Sequence, residues 1–349
     1  MHKLFKKQTL RLPMLTIALT FTFTFTSCWD ENWAEDCDSY ATFIYEYNLP
    51  DVDMFHKEVS NVDVLFFDDN GIYQNRVTGS ATAGMLPQGY KLTLPYNSMK
   101  NVGRILTLGG DYGKAYELQP ANLVAGQTSI NDMRLQVKYN ASTSGSMPAV
   151  FLGGRLENNK IKQLPAVPGM DIKLLYREEV HKVELMKISK TFRIALKVTE
   201  NGALVPGSNF NFEITAPNSL LDMNAETVGT APCVYVPYVI ENHAASTDYT
   251  AVQIWTPRLK YGAAQKITIK ENTFPFVVAF EEDLNDLIKV MALQEYNSLV
   301  ANTQEYMDRK DVYSLVIILE KDSTGPRSSY KSVAVKINEW LVRDDIVDP

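Results

Sequence analysis

An acidic stretch, EEDLND (281–286), groups four carboxylates that could serve as an acid/base pair or a cation site. Leu284, Leu287, Ile288 and Met291 recur at helical spacing in and after this stretch. Acidic residues in the first turn of a helix interact favourably with its dipole. The pattern therefore predicts the start of a helix rather than a catalytic pair.

Two glycine-containing stretches could bind ions, but each favours a turn. LGGDYGK (108–114) lacks the spacing and the Ser/Thr of a phosphate-binding loop. DDNG (68–71) is similar to part of a calcium loop, but Phe66 and Phe67 stand where neighbouring oxygen ligands would be needed. Its Asn-Gly pair predicts a tight hairpin, because both residues tolerate positive φ.

Residue types that catalyse reactions are present without the spacing that catalysis requires. His56, His181 and His243 have no second ligand at metal-binding spacing, and HExxH, CxxC and GxSxG do not occur in the sequence. We therefore expect a protein that is not an enzyme and holds no cofactor or metal.

Cys28 follows a segment with the features of a secretory signal. Four basic residues and no acid precede it, and residues 12–27 form an apolar run that ends in serine. The run is shorter than the ~20 residues of a membrane-spanning helix. The Thr/Phe alternation at 21–26 would suit a strand, but the position and the basic flank favour a signal peptide over residues 1–27.

The sequence around Cys28 also predicts lipidation. Phe25-Thr26-Ser27-Cys28 resembles a lipobox, in which the cysteine becomes the acylated N-terminus. Several acyl chains would anchor the protein stably, because each buried methylene contributes ~0.8 kcal/mol. The acids that follow predict an acidic tether over residues 28–38 and resemble the export signal of surface lipoproteins. An ordinary signal peptide with a free thiol at Cys28 is the alternative.

Composition limits the possible partners. Without residues 1–27 the chain has 30 basic and 41 acidic residues, a net charge of −11. This charge opposes binding to nucleic acid or to anionic lipid headgroups, so we expect no nucleic-acid partner. The remaining cysteines, Cys37 and Cys233, could form a disulfide in an exported protein, or both could remain unpaired thiols.

Alternation with period two dominates the chain and predicts an all-β fold. Phe192 and Ile194, for example, share one face of a strand, with Arg193 opposite. Many short strands separated by Gly, Pro and Asn are typical of β-sandwiches. The length suggests two domains, which we place at 39–188 and 189–349, with one short helix in the second.

Four separate stretches resemble the fimbrillin-associated anchor lipoproteins of Bacteroidales, the minor subunits of type V fimbriae. The most specific is TQEYMDRKDVYSLVIILE (303–320), which is similar to the family pattern QEYLDRxxxYxxxxxL. The others are DCDSYATFIYEYN (36–48), WTPRLK (255–260), whose tryptophan stands where the family has a small residue, and INEWLVR (337–343).

The resemblance implies two transthyretin-like β-sandwich domains in tandem, a lipid anchor at Cys28 in the outer membrane, and a place at the base of a fimbrium. It also implies the major fimbrial subunit as a partner, contacted through strand edges. The family motifs imply a structural role, in which Asp308 and Arg309 fix the turn into the strand from Val312 beside a buried Tyr306.

Stalk subunits of such fimbriae resemble proteins matured by an Arg-specific protease that removes the first strand. This sequence has no arginine between Cys28 and Asn75, and the first is Arg76. We therefore expect the first strand to be retained, with attachment to the stalk through another surface.

Two other classes of function remain open. A surface lipoprotein that binds glycans would use exposed aromatic residues on one face, and a stalk or tip subunit would belong to the same fimbriae. Asp322-Ser323-Thr324 also matches a short O-glycosylation pattern, which would place a glycan on Ser323.

Overall fold

The computed structural model describes residues 38–99, 102–138, 147–154, 180–242, 249–273, 276–295, 302–325, 329–337 and 340–344. The predicted signal peptide, Cys28 and Cys37 lie outside these ranges.

Among the described residues, the first half has nine strands and three one-turn helices. In chain order these are β1 (Ser39–Ile44), α1 (Phe55–Glu58), β2 (Asn61–Phe67), β3 (Tyr73–Ser80), β4 (Lys91–Leu94), α2 (Tyr96–Met99), β5 (Arg104–Gly110), α3 (Tyr112–Ala115), β6 (Tyr116–Gln119), β7 (Arg134–Val137), β8 (Val150–Gly153) and β9 (Val180–Lys187). Seven of the strands form one sheet in the order β3-β2-β5-β8-β9-β1-β4.

The described residues of the second half form twelve strands and two α-helices. They are β10 (Ser189–Glu200), β11 (Ala203–Leu204), β12 (Phe210–Ala216), β13 (Leu220–Asp222), β14 (Cys233–Tyr235), β15 (Pro237–Asn242), β16 (Thr250–Pro257), β17 (Lys266–Glu271), β18 (Val277–Asp283), α4 (Leu284–Glu295), α5 (Thr303–Arg309), β19 (Val312–Asp322), β20 (Ser329–Ile337) and β21 (Trp340–Asp344).

Two sheets of the second half pack into a sandwich. One has the order β15-β16-β10-β19-β20-β21, with β11 on β10, and the other has the order β14-β12-β17-β18. Phe192 and Ile194 of β10 face Phe212 and Ile214 of β12 across one apolar core, and all four are buried. The alternation predicted for β10 is confirmed, and so is the all-β class.

The two halves share a sheet and a core. β13 of the second half pairs with β7, which pairs with β6 of the first half. Leu135 of β7 is fully buried and lies opposite both Leu118 and Leu221. The larger apolar cluster includes residues of both halves, such as Leu106 and Leu315. β9 and β10, on either side of Ile188, belong to different sheets, which is compatible with a domain boundary there. Because the halves also share a sheet and a core, the division into domains at 188/189 remains a prediction.

The hairpin predicted at DDNG is present between β2 and β3. Gly71 has φ 77°, in the left-handed region that favours glycine. The Asp68 carboxylate accepts hydrogen bonds from the backbone N–H groups of Asn70 and Ile72, which fixes the turn.

The prediction of one helix in the second half was incomplete, because α5 accompanies α4. Its seven residues are too few to show apolar helical periodicity, so the pattern does not predict this helix. A local signal was nevertheless present. Asn302 caps the helix by accepting from the Glu305 N–H, and Glu305 pairs with Arg309 at i, i+4.

The segment CVYVPYVI (233–240) contributes to two strands. β14 ends at Tyr235 and β15 begins at Pro237, and the two belong to different sheets. Proline has no N–H to donate to a continuous ladder, so the chain changes sheet at this residue.

Because the core is shared, we expect both halves to unfold in one transition. Leu135→Ala should lower the free energy of unfolding by roughly 2–5 kcal/mol, through lost burial and the cavity left behind. Hydrogen exchange read by mass spectrometry should show lower protection of β2 and β10 together. Loss of protection in the first half alone would contradict a shared cooperative unit.

Candidate functional site

A cluster of charged and aromatic side chains lies where the two halves meet, and we call it the junction. It is built from segments that are far apart in sequence. The residues are Tyr45, Tyr47 and Asn48 at the end of β1, Glu58 of α1, Lys187 and Lys190 on either side of Ile188, Arg258 after β16, and Asp308, Arg309 and Asp311 in and after α5.

Strand register brings the charged groups of the junction together. β10 and β19 run parallel, and their pairing starts with Thr191 opposite Val312. The Thr191 N–H donates to the carbonyl of Asp311, the residue before β19, at 3.0 Å. Lys190 and Asp311, each one residue before the first pair, are therefore neighbours.

The most buried ion pair joins Arg258 to Asp308. Arg258 Nε lies 2.6 Å from Asp308 Oδ1, and Nη2 lies 2.9 Å from Oδ2, so the contact is bidentate. The residues are 5% and 4% exposed. The guanidinium also donates to the Ala225 carbonyl and to Glu226. Burial lowers the pKa of Arg258, but the bonds to Asp308 and Glu226 outweigh it and raise the pKa, so the charge is retained.

Lys190 is a second buried cation. Its Nζ donates to the Asp308 carbonyl at 2.7 Å and lies 3.8 Å from Asp311 Oδ1. Burial lowers the pKa of Lys190 to about 8, against the opposing influence of Asp311 and Asp308. Lys190 is thus held mainly by one carbonyl and by the nearby negative charges.

Asp311 connects β1 to the second half. Both of its carboxylate oxygens accept from the Tyr45 hydroxyl, at 2.9 and 2.8 Å. Burial, followed by the negative charge of Asp311, raises the pKa of Tyr45, so the hydroxyl stays protonated as a donor. Lys187 Nζ lies 3.4 Å from Asp311 and 2.6 Å from Glu58, which adds α1 to the network.

Arg309 fastens the loop after β1. Its guanidinium lies over the Tyr47 ring, 4.5 Å from the centroid, and its Nη1 donates to the Asn48 carbonyl. The Leu49 N–H donates to the Arg309 carbonyl at 3.2 Å. The Asn48 amide, in turn, donates to the carbonyls of Tyr45 and Val52. The loop is therefore tied both to itself and to α5.

Chemically, the junction is suited to holding elements together rather than to a reaction. Its cations are each paired with carboxylates or carbonyls. Within the described ranges, no group of three or more His, Cys, Asp or Glu side chains could hold a metal ion. None of the described helices has the length and apolar character that a membrane span requires.

Other sequence-predicted positions lie away from the junction. Cys233 is on β14 and is partly exposed. Because Cys37 and Cys28 lie outside the described residues, the pairing of Cys37 with Cys233 and the lipidation of Cys28 remain predictions. Ser323 is exposed just after β19 and contacts Glu200, and its glycosylation also remains a prediction.

The acidic stretch EEDLND (281–286) is divided between two elements. Glu281, Glu282 and Asp283 end β18, whereas Asp286 lies in the first turn of α4. The Asp283 carboxylate accepts from the Asn285 N–H, and Glu281 pairs with Lys266. The prediction of a helix start within this stretch is confirmed, but the first three acids belong to the strand before the helix.

Comparison with known families identifies the family of the chain. The chain matches the family of fimbrillin-A associated anchor proteins Mfa1 and Mfa2 over residues 34–346. The protein belongs to this family. The predicted membership is therefore confirmed. No curated protein gives a match.

Solved structures share the fold over most of their length. The anchor protein Mfa2 of Porphyromonas gingivalis is 13% identical with a TM-score of 0.63, and the match covers 88% of this chain and 99% of that chain. A Bacteroides ovatus protein described as a candidate adhesin is 21% identical with a TM-score of 0.67, covering 90% and 97%. A Bacteroides thetaiotaomicron protein described as a candidate polysaccharide-binding protein is 21% identical with a TM-score of 0.66, covering 89% and 99%.

Two of the stretches that resemble the family meet in the Arg258–Asp308 pair. Arg258 belongs to WTPRLK and Asp308 to TQEYMDRK, so the pair links segments that sequence analysis had treated separately. Tyr306 is buried as expected, and its hydroxyl donates to Glu295. The structural role expected for Asp308 and Arg309 agrees with these contacts.

Removing one partner of the buried pair should be costly. Asp308→Ala leaves the Arg258 charge buried with Glu226 as its remaining carboxylate, so unfolding free energy should fall by roughly 3–5 kcal/mol. The double variant Arg258→Met, Asp308→Leu should lose less unfolding free energy, measured by urea denaturation, than the two single variants lose together.

Arg193→Ala, on the exposed face of β10, is the matched surface control and should change the free energy of unfolding by no more than about 0.5 kcal/mol. Strict additivity of the Arg258 and Asp308 variants would contradict direct coupling.

Lys190 should make stability depend on pH. Its folded-state pKa of about 8 lies below the ordinary 10.5, so the unfolded chain binds more protons between these values. The contribution of Lys190 to stability therefore rises with pH across this window. The cost of Lys190→Met, measured by urea denaturation, should grow from pH 8 to pH 10.

Lys187→Met is the control. Burial lowers the pKa of Lys187, but the negative charges of Asp311 and Glu58 outweigh burial, so the folded-state pKa is raised. The loss of unfolding free energy caused by Lys187→Met should therefore not grow between pH 8 and pH 10. A cost of Lys190→Met that is constant with pH would show that the folded state does not depress the pKa of Lys190.

Proposed function

We propose that the protein is an outer-membrane lipoprotein that anchors fimbriae to the cell surface and limits fibre length, without catalysing a reaction. Membership of the anchor family supports the association with fimbriae. One structural observation carries the proposal further. The first strand, which follows directly from the tether with Cys28, is an integral part of the fold.

β1 is paired on both sides. It runs parallel to β9 and antiparallel to β4. Ala41, Phe43 and Tyr45 point inward and are buried, and the Phe43 ring stacks on that of Phe55. Removing this strand would expose apolar core and leave backbone groups on two neighbouring strands unpaired. These contacts support retention of the strand in the mature protein.

The position of Arg76 supports the same conclusion. Arg76 lies within β3, opposite Leu65 of β2, and its guanidinium is 3.9 Å from Asp63. A cut after Arg76 would remove β2 as well as β1, together with the fully buried Val64 and Phe66. This loss of buried core argues against maturation at the first arginine after Cys28.

In the proposed mechanism, acyl chains on Cys28 hold the protein in the outer membrane and the acidic tether separates the fold from the bilayer. The major fimbrial subunit would bind a strand edge, which offers unpaired backbone donors and acceptors. The sheets of the second half end at β15, β21, β14 and β18. Because β1 occupies its own place in the first half, we propose that the stalk binds the second half.

A glycan-binding function receives less support. Among the described aromatic residues, those more than a third exposed are Tyr261 and Phe276. They precede and follow β17, a six-residue strand of roughly 20 Å, so they do not form one stacking platform.

Cys28→Ala should abolish anchoring. The protein should leave the outer-membrane fraction, fail to label with palmitate, and allow fimbriae to appear in the medium, because no acyl chain holds them. Fibres measured by electron microscopy should be longer than on wild-type cells. Mass spectrometry of the wild-type protein should find Cys28 as its modified N-terminus.

Cys233→Ser is the matched control, since it removes a thiol from β14 without affecting the tether. Its fimbriae should remain cell-bound. A Cys28→Ala protein that stays in the membrane and still labels with palmitate would refute the lipid anchor. A mature N-terminus beyond Tyr47 would reassign the protein as a polymerising subunit.

A further inference from the structure

We infer that β1, together with the Tyr45–Asp311 contact, forms a mechanical clamp that resists force applied between the N-terminal tether and the second half. The force arises in the cell only if the proposed anchoring function is correct. The resistance itself is a property of the fold and can be measured separately.

Strand direction determines how the force acts on the first half. β1 and β9 run parallel, from Tyr40 opposite Val180 to Ile44 opposite Glu184. The tether pulls β1 at its N-terminal end, whereas β9 is held at its C-terminal end, where the chain continues through Ile188 into β10. Opposite ends of two parallel strands are therefore pulled apart along their axis. This is shear, which loads all ladder hydrogen bonds at once instead of opening them one by one.

β4 adds a second ladder to the same strand. It pairs with β1 on the side away from β9, with register pairs from Ser39–Leu94 to Thr42–Lys91. For β1 to slide, it must break hydrogen bonds on both sides together and withdraw Phe43 from its buried position. A strand at the edge of the sheet would lack the second ladder.

The second half is built to accept the same load. Only Ile188 separates β9 from β10, and β10 pairs in parallel with β19 from Thr191–Val312 to Glu200–Lys321. β16 pairs with β10 on its other side. β10 thus has a partner on each side, as β1 does, and force that reaches β10 is distributed over two ladders.

The Tyr45–Asp311 contact ties the two strand systems directly. Tyr45 follows the C-terminal end of β1, and Asp311 precedes β19. Pulling β1 towards its N-terminus draws the Tyr45 hydroxyl away from the Asp311 carboxylate, so this charge-assisted bond carries tension. The Leu49–Arg309 backbone hydrogen bond adds a second tie just beyond it.

Single-molecule pulling of the full chain tests the clamp. One handle is attached at Cys28 and the other at Asn201→Cys, in the exposed turn after β10, in a chain that also carries Cys37→Ser and Cys233→Ser. Tyr45→Phe removes one charge-assisted hydrogen bond that must break before β1 can slide. The barrier to unfolding is then lower, and the unfolding rate at a fixed force should rise roughly 10- to 100-fold.

Tyr235→Phe is the matched control. Tyr235 is also fully buried, and its hydroxyl donates to Asn218 Oδ1 at 2.7 Å, but it lies on β14, outside the loaded strands. Urea denaturation gives the loss of unfolding free energy in each variant. If Tyr235→Phe accelerates unfolding under force as much as Tyr45→Phe, relative to its own loss of unfolding free energy, the clamp is refuted.

The cell experiment and the pulling experiment fail independently. Fimbriae that stay attached in Cys28→Ala cells would refute anchoring and leave the measured clamp intact. Equal acceleration by the two tyrosine variants would refute the clamp and leave anchoring intact.

Discussion

The burial of the Arg258 guanidinium is the constraint on which the junction depends. Removing a cation from water costs several kcal/mol, and a carboxylate compensates for this cost only at close and well-aligned distances. Asp308 meets that condition from α5, at 2.6 and 2.9 Å. The end of β16 and the helix α5 therefore have one relative position in which both charges are satisfied, and the pair contributes specificity more than net stability.

That position determines the neighbouring contacts. With α5 fixed, the Asp308 carbonyl receives Lys190, Arg309 reaches the loop after β1, and Asp311 meets Tyr45. The apolar core around the junction continues from the first half into the second. Because burial of apolar surface is the dominant favourable contribution to folding, this core supplies most of the folding free energy. The polar contacts select, among the ways of packing that core, the one in which the C-terminal end of β1 is tied to the second half.

The sequence predicted strands well because alternation is a local property. The faces of β10, the hairpin between β2 and β3, and the start of β19 at Val312 all follow from neighbouring residues. The pairing of β7 with β13 and of Arg258 with Asp308 was not predictable in this way, since each joins segments far apart in sequence. The motifs indicated which residues mattered, but not that two motifs meet.

The place of β1 in its sheet also has a consequence for assembly under the proposed function. A subunit that polymerises by accepting a donor strand must have an open place in its sheet, and unpaired backbone groups there are costly until they are filled. In this protein β1 lies between β9 and β4 and is tied to Asp311, so that place is filled by the chain itself. In the part of the chain that the structure describes, the same contacts leave no open position between β9 and β4 for a strand of a further subunit. Anchoring and the limit on fibre length would then have a single structural origin, the retention of β1.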